Sequence, residues 1–159
     1  GSIQIALDAI QSSSHSHHFL GMSQSGLPAI LQSEGNPNPH LILRGSNSGT
    51  NYQLNEIEKI RDKSQGHLPP LVIDCSHGNS AKNPLNQPEV LKQIIAEKAE
   101  SNVCGVMLES FLVDGNQKIS HEMIYGQSVT DGCLGWDKTE KLYSEVAEQL
   151  RATALKQSA

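Results

Sequence analysis

Apolar residues recur along the chain in two rhythms, and each switch between them marks a new element. Ile3, Ala6, Leu7 and Ile10 fall at helical intervals and predict an opening helix that Ser2 is placed to cap through its hydroxyl. The run Ser12 to His18 predicts a solvated turn. Phe19 to Met22 and Ala29 to Gln32 are short apolar runs flanking the turn signal Gln24-Ser25-Gly26, so a β-hairpin is expected within about residues 17–34. Glu34 to Pro39 closes it as a rigid loop.

A regular alternation comes next. His40 to Gly45 reads as a buried strand, then Leu54, Ile57 and Ile60 mark a helix that Gly66 ends. Leu71 to His77 is the next strand, and Pro88 starts a helix bearing Leu91, Ile94 and Ile95. Val103 to Glu109 is a third strand. The last helix is expected after Trp136, where Asp137 and Glu140 have capping-box spacing, and it carries Leu142, Val146 and Leu150. Continuous apolar strands alternating with amphipathic helices require a parallel sheet covered by helices, so the fold class is α/β. No G-x-G-x-x-G motif follows any strand, which weakens a dinucleotide-binding reading.

Each of these strands ends in a side chain with chemical potential: Arg44, then Asp74 with His77, then Glu109. The carboxyl ends of the strands are the face that carries chemistry in a (β/α)₈ barrel, and a full barrel takes about 250 residues. Under half the strands of such a barrel are present.

Composition narrows the field. A chain of 159 residues has room for one domain, and 36% hydrophobic against 18% charged residues reads as soluble and globular. The formal charge of −5 argues against wholesale binding to nucleic acid or anionic lipid, so any anion must be bound locally. No apolar run approaches the roughly 20 residues of a membrane span, and no secretory signal pattern opens the chain, so the expected location is cytoplasmic. Cys75, Cys104 and Cys133 are odd in number and widely spaced, which fits a reducing compartment; with no evident cationic neighbour to lower a thiol pKa, they read as small buried residues rather than nucleophiles. The opening Gly1-Ser2, without Met, reads either as a cut from something longer or as a cloning scar.

His77, Glu109 and Asp131 form an imidazole and carboxylate set suited to Mn²⁺, Fe²⁺, Co²⁺ or Zn²⁺. A hydrogen-bonded histidine beside two solvated carboxylates would use the same residue types. Arg44, at the end of a strand read as buried, wants a phosphate or a carboxylate for its planar fork. The loops Gly45 to Gly49 and Gly78 to Ser80 could offer backbone N–H groups to an anion, or be ordinary turns. His15, His17 and His18 fit a flexible surface loop, and Trp136 a packing anchor.

Four motifs stand in order: Leu41-Ile42-Leu43-Arg44-Gly45, Ile73-Asp74-Cys75-Ser76-His77-Gly78-Asn79-Ser80, Val106 to Ser110 with Gly115-Asn116-Gln117, and Tyr125 to Trp136. Together the sequence resembles the class I 3-deoxy-D-arabino-heptulosonate 7-phosphate (DAHP) synthases, from Gly1 to the end of the last helix. The resemblance implies the C-terminal part of a (β/α)₈ barrel enzyme that condenses phosphoenolpyruvate with erythrose 4-phosphate, releasing phosphate, on the shikimate route to aromatic amino acids. It implies that a divalent metal is held by His77, Glu109 and Asp131, that Arg44 contacts substrate phosphate, and that His77 and Arg44 serve catalysis. The hairpin of residues 17–34 corresponds to an element used for subunit contacts in a homo-oligomer and for feedback inhibition by an aromatic amino acid.

The chain departs from that pattern in extent. A cysteine ligand and further lysines and arginines belong to a part that would precede Gly1, so the 159 residues alone are expected to be inactive. Two other readings are a truncated metal- or effector-binding module and a related 3-deoxy-octulosonate 8-phosphate synthase.

Overall fold

The computed structural model describes residues 2–97 and 101–157; Gly1 lies outside them. Helix α1 (Ile3–Ser13) turns Ile3, Ala6, Leu7 and Ile10 toward the core, as the periodicity predicts. Ser2 sits at its N-cap without a side-chain hydrogen bond; only its backbone carbonyl accepts, from Ala6 N–H at 3.3 Å. The polar run after it is not all turn. Strand β1 (His17–Met22) already includes His17 and His18, because the pairing with β2 (Pro28–Ser33) extends to His17 opposite Ser33. The hairpin closes through Ser23 N–H donating to Leu27 O at 2.9 Å, with Gly26 at φ +77°. Its apolar side chains Leu20, Met22 and Ile30 are exposed.

Strands β3 (Leu41–Leu43), β4 (Leu71–Asp74) and β5 (Val103–Met107) form a parallel sheet in that order. Helices α2 (Leu54–Lys63) and α3 (Gln87–Ala96) connect successive strands, α3 following a single 3-10 turn at Pro84–Asn86. Leu41, Leu43, Leu71 and Ile73 are buried against Ile57 and Ile60 of α2 and Leu91 and Ile94 of α3. Continuous apolar strands predict burial on both faces. Ile42 and Met107 are instead each 45% exposed, because the described residues supply helices to one face only.

Two elements escape the periodicity. Strands β6 (Val113–Asn116) and β7 (Gln127–Ser128) pair in parallel between β5 and the last helix. Such short polar strands have no period to read; side-chain bonds hold them, as Gln127 Nε2 donates to Asp114 O at 2.7 Å and Gln117 Nε2 to Gln127 O at 3.0 Å. Helix α4 (Trp136–Gln157) starts two residues early for the expected capping box, which would put Asp137 at the N-cap. Asp137 therefore lies inside its first turn, where its charge suits the helix N-terminus. Leu142 and Val146 pack into the core, but Trp136 is 52% exposed and anchors nothing there. None of the described helices is long and apolar enough to cross a membrane.

Asp114 ties this region to α4. Its Oδ1 accepts from Gly135 N–H and its Oδ2 from Lys138 Nζ, both at 2.6 Å, and these bonds, that from Lys138 foremost, hold its carboxyl below the usual value. The contribution is present above the unfolded-state pKa and is lost as pH falls through the lowered native one. Asp114→Asn should therefore cost about 0.5–1 kcal/mol at neutral pH, given the partial exposure of the pair, and less at pH 2. Urea unfolding at the two pH values checks it; an equal cost at both would remove the ionic part.

Candidate metal and anion site

Parallel pairing brings the three polar strand ends to one edge of the sheet. Asn79 ties the first two together: buried, it donates through Nδ2 to Leu43 O at 3.1 Å and to Asp74 O at 2.9 Å, and its Oδ1 accepts from Asn51 N–H at 3.0 Å. Gly45 makes this possible. It has φ +68°, and a Cβ there would stand 2.6 Å from Asn79 N.

Asp74, 5% exposed, ends β4 and organises the turn that leaves it. Its Oδ1 accepts from Ser76 N–H at 2.9 Å and Ser76 Oγ at 2.6 Å, while its Oδ2 lies 2.8 Å from His77 Nδ1. His77 holds the left-handed conformation, φ +51°, a strained backbone for a histidine that lets the ring turn back onto this carboxylate. With the ring proton on Nδ1 and donated to Asp74, Nε2 keeps a lone pair and faces outward.

Nε2 stands 3.4 Å from Glu109 Oε1 and 3.5 Å from Asp131 Oδ2. The three side chains place their ligand atoms within 4.8 Å of one another. Two donors at about 2.1 Å from one ion at a tetrahedral angle are about 3.4 Å apart, so the imidazole-to-carboxylate spacings fit a shared cation. Burial pushes the Glu109 carboxyl above its usual value; the charges of Asp131 and Asp74 add to this, while His77 and the Ser76 hydroxyl oppose it. Three carboxylates around one imidazole are a demand for positive charge. The cleft that His77, Glu109 and Asp131 line, about 100 Å³, also takes in Ser80, Lys82 and Pro84.

Arg44, expected at the end of a buried strand, is exposed instead. Strand β3 stops at Leu43, so the guanidinium emerges into water and burial forces no partner on it. Among the described residues it has no hydrogen-bond or ion-pair partner. It lines a second cleft, about 470 Å³, with Gly45, Ser46, His77, Gly78 and Lys82. The expected backbone cradle is largely closed: Gly45 N–H donates to Asn51 Oδ1, Ser46 N–H to Gly49 O, Gly78 N–H to Arg44 O, and Asn79 and Ser80 N–H to Ser76 O. Cationic side chains remain as the anion-facing groups.

Sequence reasoning missed Lys82, Ser76 and Gln87 at this site. Lys82 lines both clefts and has φ +61°, next to Ala81 at φ +53°. Consecutive left-handed non-glycine residues are a strain signal, but only the backbone reveals it. Gln87, fully buried, donates through Nε2 to Glu109 O at 3.0 Å and accepts from Glu109 N–H through Oε1 at 2.8 Å. Among the cysteines, Cys75 is buried, its thiol pushed up to about 12 mainly by burial and then by Asp74, so it is no nucleophile. Cys104 is exposed and Cys133 intermediate, against the expectation that all three are buried.

A parallel α/β sheet whose strand ends gather a His, Glu and Asp cluster beside an arginine-lined cleft defines a candidate metal-binding, anion-handling α/β protein. The chain belongs to the DAHP synthetase I family, whose model matches residues 1–144. It is 40% identical over 162 residues to a tyrosine-inhibited phospho-2-dehydro-3-deoxyheptonate aldolase of Schizosaccharomyces pombe, covering 96% of this chain and 44% of the relative. It is likewise 40% identical over 167 residues to the phenylalanine-inhibited aldolase of Saccharomyces cerevisiae, covering 95% of this chain and 44% of that protein. The solved phospho-2-dehydro-3-deoxyheptonate aldolase of Francisella tularensis SCHU S4 is similar at a TM-score of 0.85 and 41% identity, over 95% of this chain and 46% of its own. The chain thus spans under half the length of these relatives.

Proposed function

We propose that this chain is the C-terminal portion of a cytoplasmic DAHP synthase, a (β/α)₈ barrel enzyme that joins phosphoenolpyruvate to erythrose 4-phosphate and releases phosphate. The observation that carries the reading is the convergence of His77, Glu109 and Asp131 at the carboxyl ends of parallel strands, with Arg44 in the adjoining cleft. The exposed second face of β3 to β5 fits a sheet that continues in the remainder of such a barrel.

In this reading His77, Glu109 and Asp131 hold a divalent cation of the Mn²⁺, Fe²⁺, Co²⁺ or Zn²⁺ type. When bound, it would polarise the aldehyde of erythrose 4-phosphate toward attack by C3 of phosphoenolpyruvate. Asp74 keeps the His77 ring in its donor tautomer and orientation. Arg44 grips a substrate phosphate with two parallel N–H bonds, and Lys82, between the clefts, offers a second positive charge. The 159 residues alone are inactive, because a reaction between two phosphorylated substrates needs more preorganised donors than the chain supplies.

The exposed Leu20, Met22 and Ile30 of the hairpin suit a contact between subunits of a homo-oligomer. An aromatic amino acid is the proposed feedback effector. Relatives named for tyrosine and for phenylalanine inhibition are equally identical to the chain, so identity does not choose between them. The experiment is a coupled one: loss of phosphoenolpyruvate absorbance on adding erythrose 4-phosphate and Mn²⁺, followed for the chain alone and for a complete enzyme carrying it. Turnover in the complete enzyme only is expected; equal turnover by the chain alone would misplace the site.

A further inference from the structure

We propose that Gln87 is a positioning residue that sets the two carboxylates of the candidate cation site at their working separation; this rests on reading His77, Glu109 and Asp131 as that site. Gln87 is fully buried at the first turn of α3, a place where a leucine or methionine would pack without cost to solvation. A buried primary amide is tolerated when its donor and acceptor are both used, and here both go to one residue. Nε2 donates to the Glu109 carbonyl at 3.0 Å and Oε1 accepts from the Glu109 N–H at 2.8 Å. The side chain thus completes the hydrogen bonding of Glu109 as a neighbouring strand would, at the point just beyond the end of β5.

The Glu109 carbonyl is also a junction. It accepts a second bond, from Leu134 N–H at 2.9 Å, three residues after Asp131. Cys133 N–H in turn donates to Gly115 O at 3.1 Å, which anchors the same segment to β6. One carbonyl therefore joins the start of α3, the residue bearing one carboxylate and the loop bearing the other. Gln87 also opens the helix that follows the connection leaving β4 through His77, whose own orientation is set by Asp74. The two carboxylate side chains stay free to face one another because the backbone is held from behind. Partners that orient ligands in this way typically carry about 10- to 100-fold in metal affinity.

The test uses a complete enzyme carrying this segment, with Mn²⁺ alone as probe. Gln87→Met keeps the volume and removes both bonds; Gln87→Asn keeps the amide one methylene short and is the milder change should the first not fold. Mn²⁺ affinity is expected to fall about 10- to 100-fold in the variants. The visible bands of the Co²⁺-loaded protein should change in position and intensity, while near-ultraviolet circular dichroism without metal stays that of the parent. A merely structural role would lower the melting temperature yet leave affinity within about twofold well below it, and that result overturns the proposal. His77→Ala is run beside them. If it binds Mn²⁺ as the parent does, the site reading falls and Gln87 with it; if it loses the ion while both Gln87 variants keep it, the positioning role alone is wrong.

Discussion

Replacing His77 by alanine in the complete enzyme is expected to weaken Mn²⁺ binding by at least about 100-fold. The imidazole is the only nitrogen donor of the cluster, and its Nε2 lies 3.4 Å and 3.5 Å from the two carboxylates. Without it, Glu109 and Asp131 face each other as like charges, and Asp131 is largely exposed, so little holds the pair at bonding distance. Asp74→Asn should act more mildly, by about 10-fold, through the ring's orientation rather than its presence. Affinity should also rise with pH, because binding an ion expels the proton that burial favours on Glu109. Equilibrium titration of free Mn²⁺ by its electron paramagnetic resonance signal measures all three. Unchanged binding by His77→Ala would sink the metal assignment.

Arg44→Ala should lower the rate of DAHP formation by about 10²- to 10³-fold in the complete enzyme, the usual cost of losing one preorganised donor to developing charge. The guanidinium sits at the carboxyl end of β3, exposed and without a partner among the described residues, on the same cleft as His77. A residue committed to a structural salt bridge would not stand so. Arg44→Lys should recover only part of the loss, since an ammonium lacks the two-pronged geometry that matches phosphate. Because the exposed side chain contributes little packing, melting temperature should stay within a few degrees of the parent, about what a change under 1 kcal/mol produces. A fully active Arg44→Ala would remove the phosphate role.

Both predictions concern residues that stand out in the sequence, and the reason is positional. Arg44, His77 and Glu109 come after apolar runs strong enough to be read as strands, and parallel strands joined by helices wind with one hand, so their ends must share an edge. Asp131 is less plainly marked: it follows β7, which no apolar run announces, so the motif from Tyr125 to Trp136 is its clearest signal. The residues that position His77 and Glu109 are not legible. Asp74 reads as a strand end, but its grip on Nδ1 depends on a left-handed backbone at His77, which a histidine code does not announce. Gln87 reads as an ordinary polar residue at a helix start.

Sequence alone determined the order of helices and strands around the sheet, the hairpin, and the side chains that end the strands. Each arises from local periodicity or from turn chemistry within a few residues. Tertiary structure alone decided that Ile42 and Met107 face outward, that Arg44 is solvated rather than buried, and that β6 and β7 exist at all. It also decided which atoms meet: the Glu109 carbonyl collects bonds from residues 22 and 25 positions away in the chain. Burial and hydrogen-bond partnership are set by what lies across the fold, and no window along the sequence contains that information.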